Sequence, residues 1–325
     1  GSVMVAEGDD FSNVLTQYDD FTSGALFKPE SLPPFAFHLG AVDARFQMTG
    51  PQRGAPRFFA ARGTFTRGSQ GGDPQPFSIR VNHPLKIDGT SVFLVGQGYA
   101  PVVRVRDARG SVVYDDAVPF LPSDGTYTSS GVIKVPDAQP LGWGFQGFFL
   151  PTAISTGKDE APVSAFPAAA NPFLGLFAFR GDLGLDDGQP QSVFALDKAK
   201  LKQVRTKNGT PFRVSLSPGQ VTDLPGGGSI EFVKLKQFAR LQISASPWAG
   251  IPLGATMLAV LGLVLSLSVR PRRTWVRARR DGAADAGGGP TRTVVEIAAL
   301  DRVRSSGVAD HVAIVQSAIE RKEAP

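Results

Sequence analysis

The chain carries three histidines and no cysteine in 325 residues, and that inventory limits the chemistry it can perform. Without a thiol, disulfides, thiolate nucleophiles, cysteine-ligated zinc and a CxxCH heme-attachment motif are excluded. His83 lies in Val81-Asn82-His83-Pro84-Leu85, at the end of an alternating run, and the following proline holds it extended. An imidazole there could act as a base, as a ligand to a transition metal or heme iron, or as a hydrogen-bonded strand-end residue. A base also needs a nucleophile in reach and an orienting partner, and the only other histidine before the last fifteen residues is His38. No GxSxG, HExxH or phosphate-binding glycine loop occurs. Asp182, Asp186 and Asp187 in "GDLGLDDG" are spaced somewhat like a calcium loop. They lack its residue order and closing Glu, which favours a solvated turn. "LGWGFQGFFLPT" gathers Trp143, Phe145, Phe148 and Phe149 between glycines. Such rings could form a heme or peptide surface, but core filling is the commoner use of aromatic residues in a β domain.

The elements that must position these residues read as strands. Glycine (37) and proline (26) are plentiful, which suits short strands and turns. Phe77, Ile79 and Val81 alternate with Ser78, Arg80 and Asn82, and residues 240–245 alternate in the same way. Asp88-Gly89, Asp107 to Gly110 and Asn208-Gly209 each signal a hairpin. Helical periodicity is scarce before residue 246. Beyond it, Thr293 and Glu296 form a candidate capping box, so one or two short amphipathic helices are expected over 291–320.

No charged residue lies between Arg240 and Arg270, and Trp248 to Val269 is almost wholly apolar. As a helix this stretch would reach about 33 Å, enough to cross the hydrocarbon layer of a bilayer. Six arginines follow between Arg270 and Arg280, which marks that side as cytoplasmic, and Trp248 and Trp275 flank the span as interfacial anchors would. From Arg270 onward the chain holds 11 of its 34 basic and 7 of its 29 acidic side chains. The remainder is nearly neutral, so nucleic-acid binding has no electrostatic support there. The fold class expected is mainly β. A large exoplasmic, sandwich-like domain occupies 1–246 and a transmembrane helix 247–269. A basic, partly helical cytoplasmic tail occupies 270–325, with a Gly-rich linker at 281–290. The opening "GSVMVAEGDD" is neither a signal peptide nor a span, so the chain reads as a fragment whose upstream membrane segments are left out.

The order of "VNHPL", "GYAP", "PFLPSDG", "GDLGLDDGQPQSVFALD" and "FARLQISASPWAGIPLGATMLAVLGLVLSLSVRPRRTWVR" resembles ResB/CcsB-like proteins of cytochrome c biogenesis. The likeness covers about residues 1–280. It implies an accessory, non-catalytic membrane subunit of the system II heme-attachment machinery. The implied partners are a ResC/CcsA-like heme-handling membrane protein, apocytochrome c, a thioredoxin-like thiol reductant and the lipid bilayer. No cofactor is expected to be bound firmly by this chain, heme being shared with the partner. His83 matches the family's "NHP" position and is the one site residue carried over, as a contact to heme or to a partner. Two alternatives stay open: a membrane-anchored exoplasmic binding module unrelated to heme, and a hydrolase using His83 as base, which would need Ser or Asp beside the ring.

Overall fold

The computed structural model describes all residues except 25–26, 69–71, 156, 158–159, 186–191, 193, 246–249, 269–271, 281–292, 302–306 and 321–325. The chain divides into two compact units, Gly1–Ser246 and Pro247–Pro325. The first is entirely β apart from two short 3-10 turns. Its strands begin with β1 (Ser2–Ala6), β2 (Asp10–Ser12), β3 (Phe35–Phe46), β4 (Pro56–Arg67), β5 (Gln75–Arg80) and β6 (Leu85–Ile87). Then follow β7 (Thr90–Arg106), β8 (Val112–Ala117), β9 (Leu121–Pro122), β10 (Ser129–Val135), β11 (Trp143–Leu150) and β12 (Ala153–Ile154). The series closes with β13 (Val163–Ser164), β14 (Phe173–Gly181), β15 (Leu201–Gln203), β16 (Arg213–Leu216), β17 (Val221–Asp223) and β18 (Ser229–Ala245).

Two 17-residue strands, β7 and β18, pair antiparallel along their whole length and form the spine of the unit. One end of this spine packs on the sheet β2-β3-β4-β5, through Val92, Leu94, Leu241 and Ile243 against Phe11, Phe37, Phe77 and Ile79. The other end packs on the sheet built around β10, β11 and β14, through Tyr99, Val103, Val105, Ile230 and Phe232. The inward positions are even-numbered before Val95 on β7 and odd-numbered after it. On β18 the same switch occurs at Val233. The register shifts at both places, and each bulge adds one residue. The two bulges thereby keep one face of both strands pointed inward, so a single pair of strands serves two sandwiches.

Aromatic rings join the two halves. Tyr127 lies edge-on to Phe46 at 5.4 Å and to Tyr99 at 6.3 Å, and Phe46 also meets Phe166. The Tyr99 hydroxyl donates to the Pro167 carbonyl at 2.8 Å, and burial raises its pKa above the usual phenol value. Trp143, Phe145 and Phe149 are fully buried in the β10-β11-β14 half, so these three rings are core. Phe148, the neighbour of Phe149, points to the opposite side of the strand and covers Gly175. Phe149 meets Tyr99, Phe120 and Phe232 at ring-centroid distances of 5.5, 6.4 and 6.4 Å. Phe149→Ala is therefore expected to cost about 3–5 kcal/mol, and Phe148→Ala distinctly less, in thermal unfolding of the detergent-solubilised chain. Equal losses would contradict this register.

Asp88-Gly89 and Asp107 to Gly110 turn as their sequences predict. Asp88 and Gly89 both take positive φ between β6 and β7. The Asp107 carboxylate accepts from the Arg109 and Ser111 N–H groups between β7 and β8. At Asn208-Gly209 the turn forms and its immediate flanks pair antiparallel through Arg205 and Pro211, while the strands beyond them take another partner. β15 and β16 both lie along β14, one after the other. Residues 205–211 are a loop thrown out from one interrupted edge strand, pinned at its base by Val204 and Phe212.

The second unit begins with the apolar helix α1 (Gly250–Ser268), about 28 Å long. Pro252 sits in its first turn, where no N–H is needed. The Thr256 and Ser268 hydroxyls donate to carbonyls four residues back, which satisfies them without water. None of its described side chains is buried by protein. Next come β19 (Arg272–Arg280), β20 (Thr293–Asp301) and α2 (Gly307–Glu320). β19 and β20 form an antiparallel pair, and α2 packs on β20. The capping box expected at Thr293 and Glu296 is thus corrected: both residues are in a strand, and helix begins only at Gly307. Thr293, Val294, Val295 and Ile297 are β-branched and favour a strand, and Glu296 pairs with Arg279 at 3.3 Å instead of capping.

Candidate functional site

His83 belongs to a tight turn between β5 and β6. Arg80 and His83 exchange backbone hydrogen bonds, with His83 N–H donating to the Arg80 carbonyl at 2.9 Å and Arg80 N–H to the His83 carbonyl at 3.2 Å. Asn82 takes a φ of 62°, a left-handed conformation that Asn tolerates in turns. Pro84 then releases the chain into β6. Each residue of "VNHPL" thus has a local reason for its type. The side chain of His83 is exposed, and its Nδ1 lies 3.1 Å from the Val81 carbonyl.

That contact fixes the neutral ring's tautomer. A carbonyl can only accept, so Nδ1 carries the proton and Nε2 keeps its lone pair. The ring sits beside a shallow concavity of about 440 Å³, where Arg57, Phe58 and Phe59 of β4 meet Arg80 and Val81. β4 delivers these residues because Ala60 pairs with Arg80 in the β4–β5 ladder. The concavity is thus lined by one imidazole, two arginines and two phenylalanines, but Arg57 donates to Gln47 and Gln52, Phe58 lies under Arg45, and Phe59 packs on Phe46. No carboxylate or hydroxyl bonds the ring among the described residues, so the base-and-orienter arrangement of a hydrolase is not formed at His83.

His38 has a different neighbour. Its Nδ1 lies 2.8 Å from Asp10 Oδ1, across the β2–β3 ladder, and both side chains are largely exposed. Thr64 is its cross-strand neighbour on β4, but no hydroxyl bonds its ring. Among the described residues the pair is a surface contact without a nucleophile. Among the described residues no cluster of three His, Asp or Glu could hold a metal. Asp182 caps its own turn, accepting from Gly184 N–H at 2.8 Å, and meets Lys200 at 3.3 Å. Those two contacts, the backbone bond first, hold its carboxyl below the usual pKa. Asp186 and Asp187 lie outside the described residues, as does Trp248. Trp275, expected as an interfacial anchor, is a half-exposed residue of β19.

The residues that sequence reasoning missed are Arg57, Phe58, Phe59 and Arg80 around His83. Their signal is weak, because a two-ring, two-arginine patch appears only once the β4–β5 register is known. Comparison with known proteins gives one informative result. No curated protein and no solved structure matches the chain. A family model does, from residue 1 to residue 313, a stretch that takes in every strand and the apolar helix. The chain belongs to the ResB-like family.

Proposed function

We propose that the chain is an accessory subunit of system II cytochrome c maturation. It works with a ResC/CcsA-like membrane protein that carries heme, and together they attach heme to apocytochrome c on the outer side of the membrane. The observation that carries this reading is the ResB-like match over residues 1–313, which associates the chain with cytochrome c biogenesis at a membrane. In this reading the β unit is exoplasmic and the tail cytoplasmic, supported by the arginines of 270–280 after the apolar helix. A thioredoxin-like protein keeps the apocytochrome thiols reduced.

The chain itself acts as scaffold rather than catalyst. Thioether formation adds a cysteine thiol across a heme vinyl group, and this chain has no cysteine to offer. Its described histidines have no nucleophile to activate. Heme enters as cargo, and the surroundings of His83 fit such a cargo. Nε2 is an available nitrogen ligand for iron. The Arg80 guanidinium suits a carboxylate, and Phe58 beside it suits an apolar ring face.

The experiment is affinity purification of the tagged chain from membranes in mild detergent. A ResC/CcsA-like protein and heme should copurify with it, and recovery of neither contradicts the proposal. His83→Ala should lower heme recovery and cytochrome c maturation severalfold while the amount of the chain stays near normal. Parallel loss of the chain and of maturation would make His83 a structural turn residue only.

A further inference from the structure

Between β2 and β3 lies a 22-residue segment, 13–34, whose described residues hold two 3-10 turns as their only regular structure. Connections this long inside a compact unit are uncommon and usually serve a purpose. This one carries apolar side chains at and near its surface. Val14 and Leu15 are 47% and 38% exposed, and Tyr18, Phe21 and Phe27 are half-buried. The rings form a chain, with Phe11–Tyr18, Tyr18–Phe21 and Phe21–Phe27 centroids 5.4, 5.2 and 5.1 Å apart. The Tyr18 hydroxyl donates to Asn13 Oδ1, which anchors the segment.

The segment's position in the fold supplies the second observation. Tyr18, Phe21 and Phe27 line one small cavity with Thr90, Ile243 and Ala245, the residues at one end of the β7–β18 spine. Ser2 N–H donates to the Asp20 carbonyl there, and Arg67 and Asp88 pair across the same end at 3.7 Å. Ala245 is the last residue of β18, and only residues 246–249 separate it from Gly250, where the apolar helix starts. Polymer geometry limits that tether to about 18 Å. Opposite this end, Val221 pairs with Glu231, about 45 Å along β18 from Ala245.

We propose that the 13–34 segment is a membrane-contact loop, with lipid at the headgroup–acyl boundary as its partner. Aromatic and aliphatic side chains are favoured at that depth, where one edge meets headgroups and water and the other meets hydrocarbon. Val14, Leu15, Phe21 and Phe27 seat the tethered end of the β unit in this layer. The contact places this end of the β unit at the bilayer surface. This rests on reading Gly250–Ser268 as a transmembrane span.

Because the native chain has no cysteine, one introduced thiol can be labelled cleanly. The full chain, reconstituted into phosphatidylcholine–phosphatidylglycerol vesicles, is spin-labelled at Leu15→Cys, Phe21→Cys, Leu261→Cys or Val221→Cys. Each label's collision rates with oxygen and with a water-soluble nickel chelate are then compared. The oxygen-to-nickel ratio should be highest at Leu261, severalfold above Val221 at Leu15 and Phe21, and lowest at Val221. Leu15 belongs to none of the buried core clusters, so its variant keeps the test valid where the Phe21 variant perturbs folding. Ratios at Leu15 and Phe21 equal to that of Val221, with Leu261 immersed, overturn the loop contact and leave the span standing. An aqueous ratio at Leu261 overturns both.

Discussion

Gly147→Ala is expected to destabilise the β unit by about 3 kcal/mol or more. Gly147 lies in β11 between Gly131 of β10 and Leu176 of β14. A Cβ built there would collide with the Gly175 carbonyl oxygen and come within 2.8 Å of Leu176 Cα. Both obstacles are backbone in a paired strand, so no side-chain rotation relieves the clash. β14 would have to move away from β11. That strand carries Leu174, Leu176 and Ala178 into the core beside Phe149, so the displacement spreads into the aromatic packing. For a unit of this size each kcal/mol lowers Tm by roughly 2–4 °C, and a fall of about 6–12 °C is expected. Gly125→Ala is the control, because nothing lies within 4 Å of its added Cβ. Thermal unfolding of the two variants in detergent compares them, and a Gly147→Ala midpoint within 2 °C of Gly125→Ala would contradict the strand spacing described above.

Much of the fold was legible in sequence where a pattern is local. The alternation over 77–82 gives β5 and its end at His83, and the alternation over 240–245 gives the last turns of β18. The apolar run gives α1. What was not legible depends on partners distant in the chain. The turns at Asp88-Gly89 and Asp107 to Gly110 mark where a strand starts and ends, but not that Thr90–Arg106 between them runs on through Pro101 and a slip in alternation at Val95. In the sheet this stretch is the single strand β7. The slip is a bulge, and the Pro101 carbonyl accepts from Val118 N–H. Asn208-Gly209 signals the turn and the short pairing of Arg205 with Pro211, but turn chemistry does not say that the strands beyond, β15 and β16, both pair with β14. In the tail, the capping pattern at Thr293 and Glu296 lost to β-branched residues with a strand beside them.

The candidate site divides in the same way. His83 as a turn residue before a proline follows from five consecutive residues. Its tautomer depends on the Val81 carbonyl two residues away, and the positive φ of Asn82 helps set that contact. Arg57 and the two rings around it come from β4, more than twenty residues earlier, and only the ladder register brings them there. The aromatic cluster at 143–149 shows the converse case. It offers the densest ring composition in the chain, yet three of its four rings are enclosed and unavailable to any ligand.

The proposed role has an all-or-none consequence. Covalent heme attachment is a separate step from heme synthesis and from heme insertion into b-type cytochromes, which hold heme without a thioether bond. Loss of an obligatory attachment subunit should therefore remove one class of cytochrome and spare the other. It should not be rescued by the tail or the apolar helix alone, since the family match extends through the whole β unit. The direct measurement is heme staining of denatured membrane proteins, together with reduced-minus-oxidised spectra, in a strain lacking the gene and in the same strain supplied with the full chain's gene. The account predicts that heme-stained c-type bands disappear in the deletion, that b-type absorbance remains, and that the supplied gene restores the bands. Normal c-type heme staining in the deletion strain would contradict it.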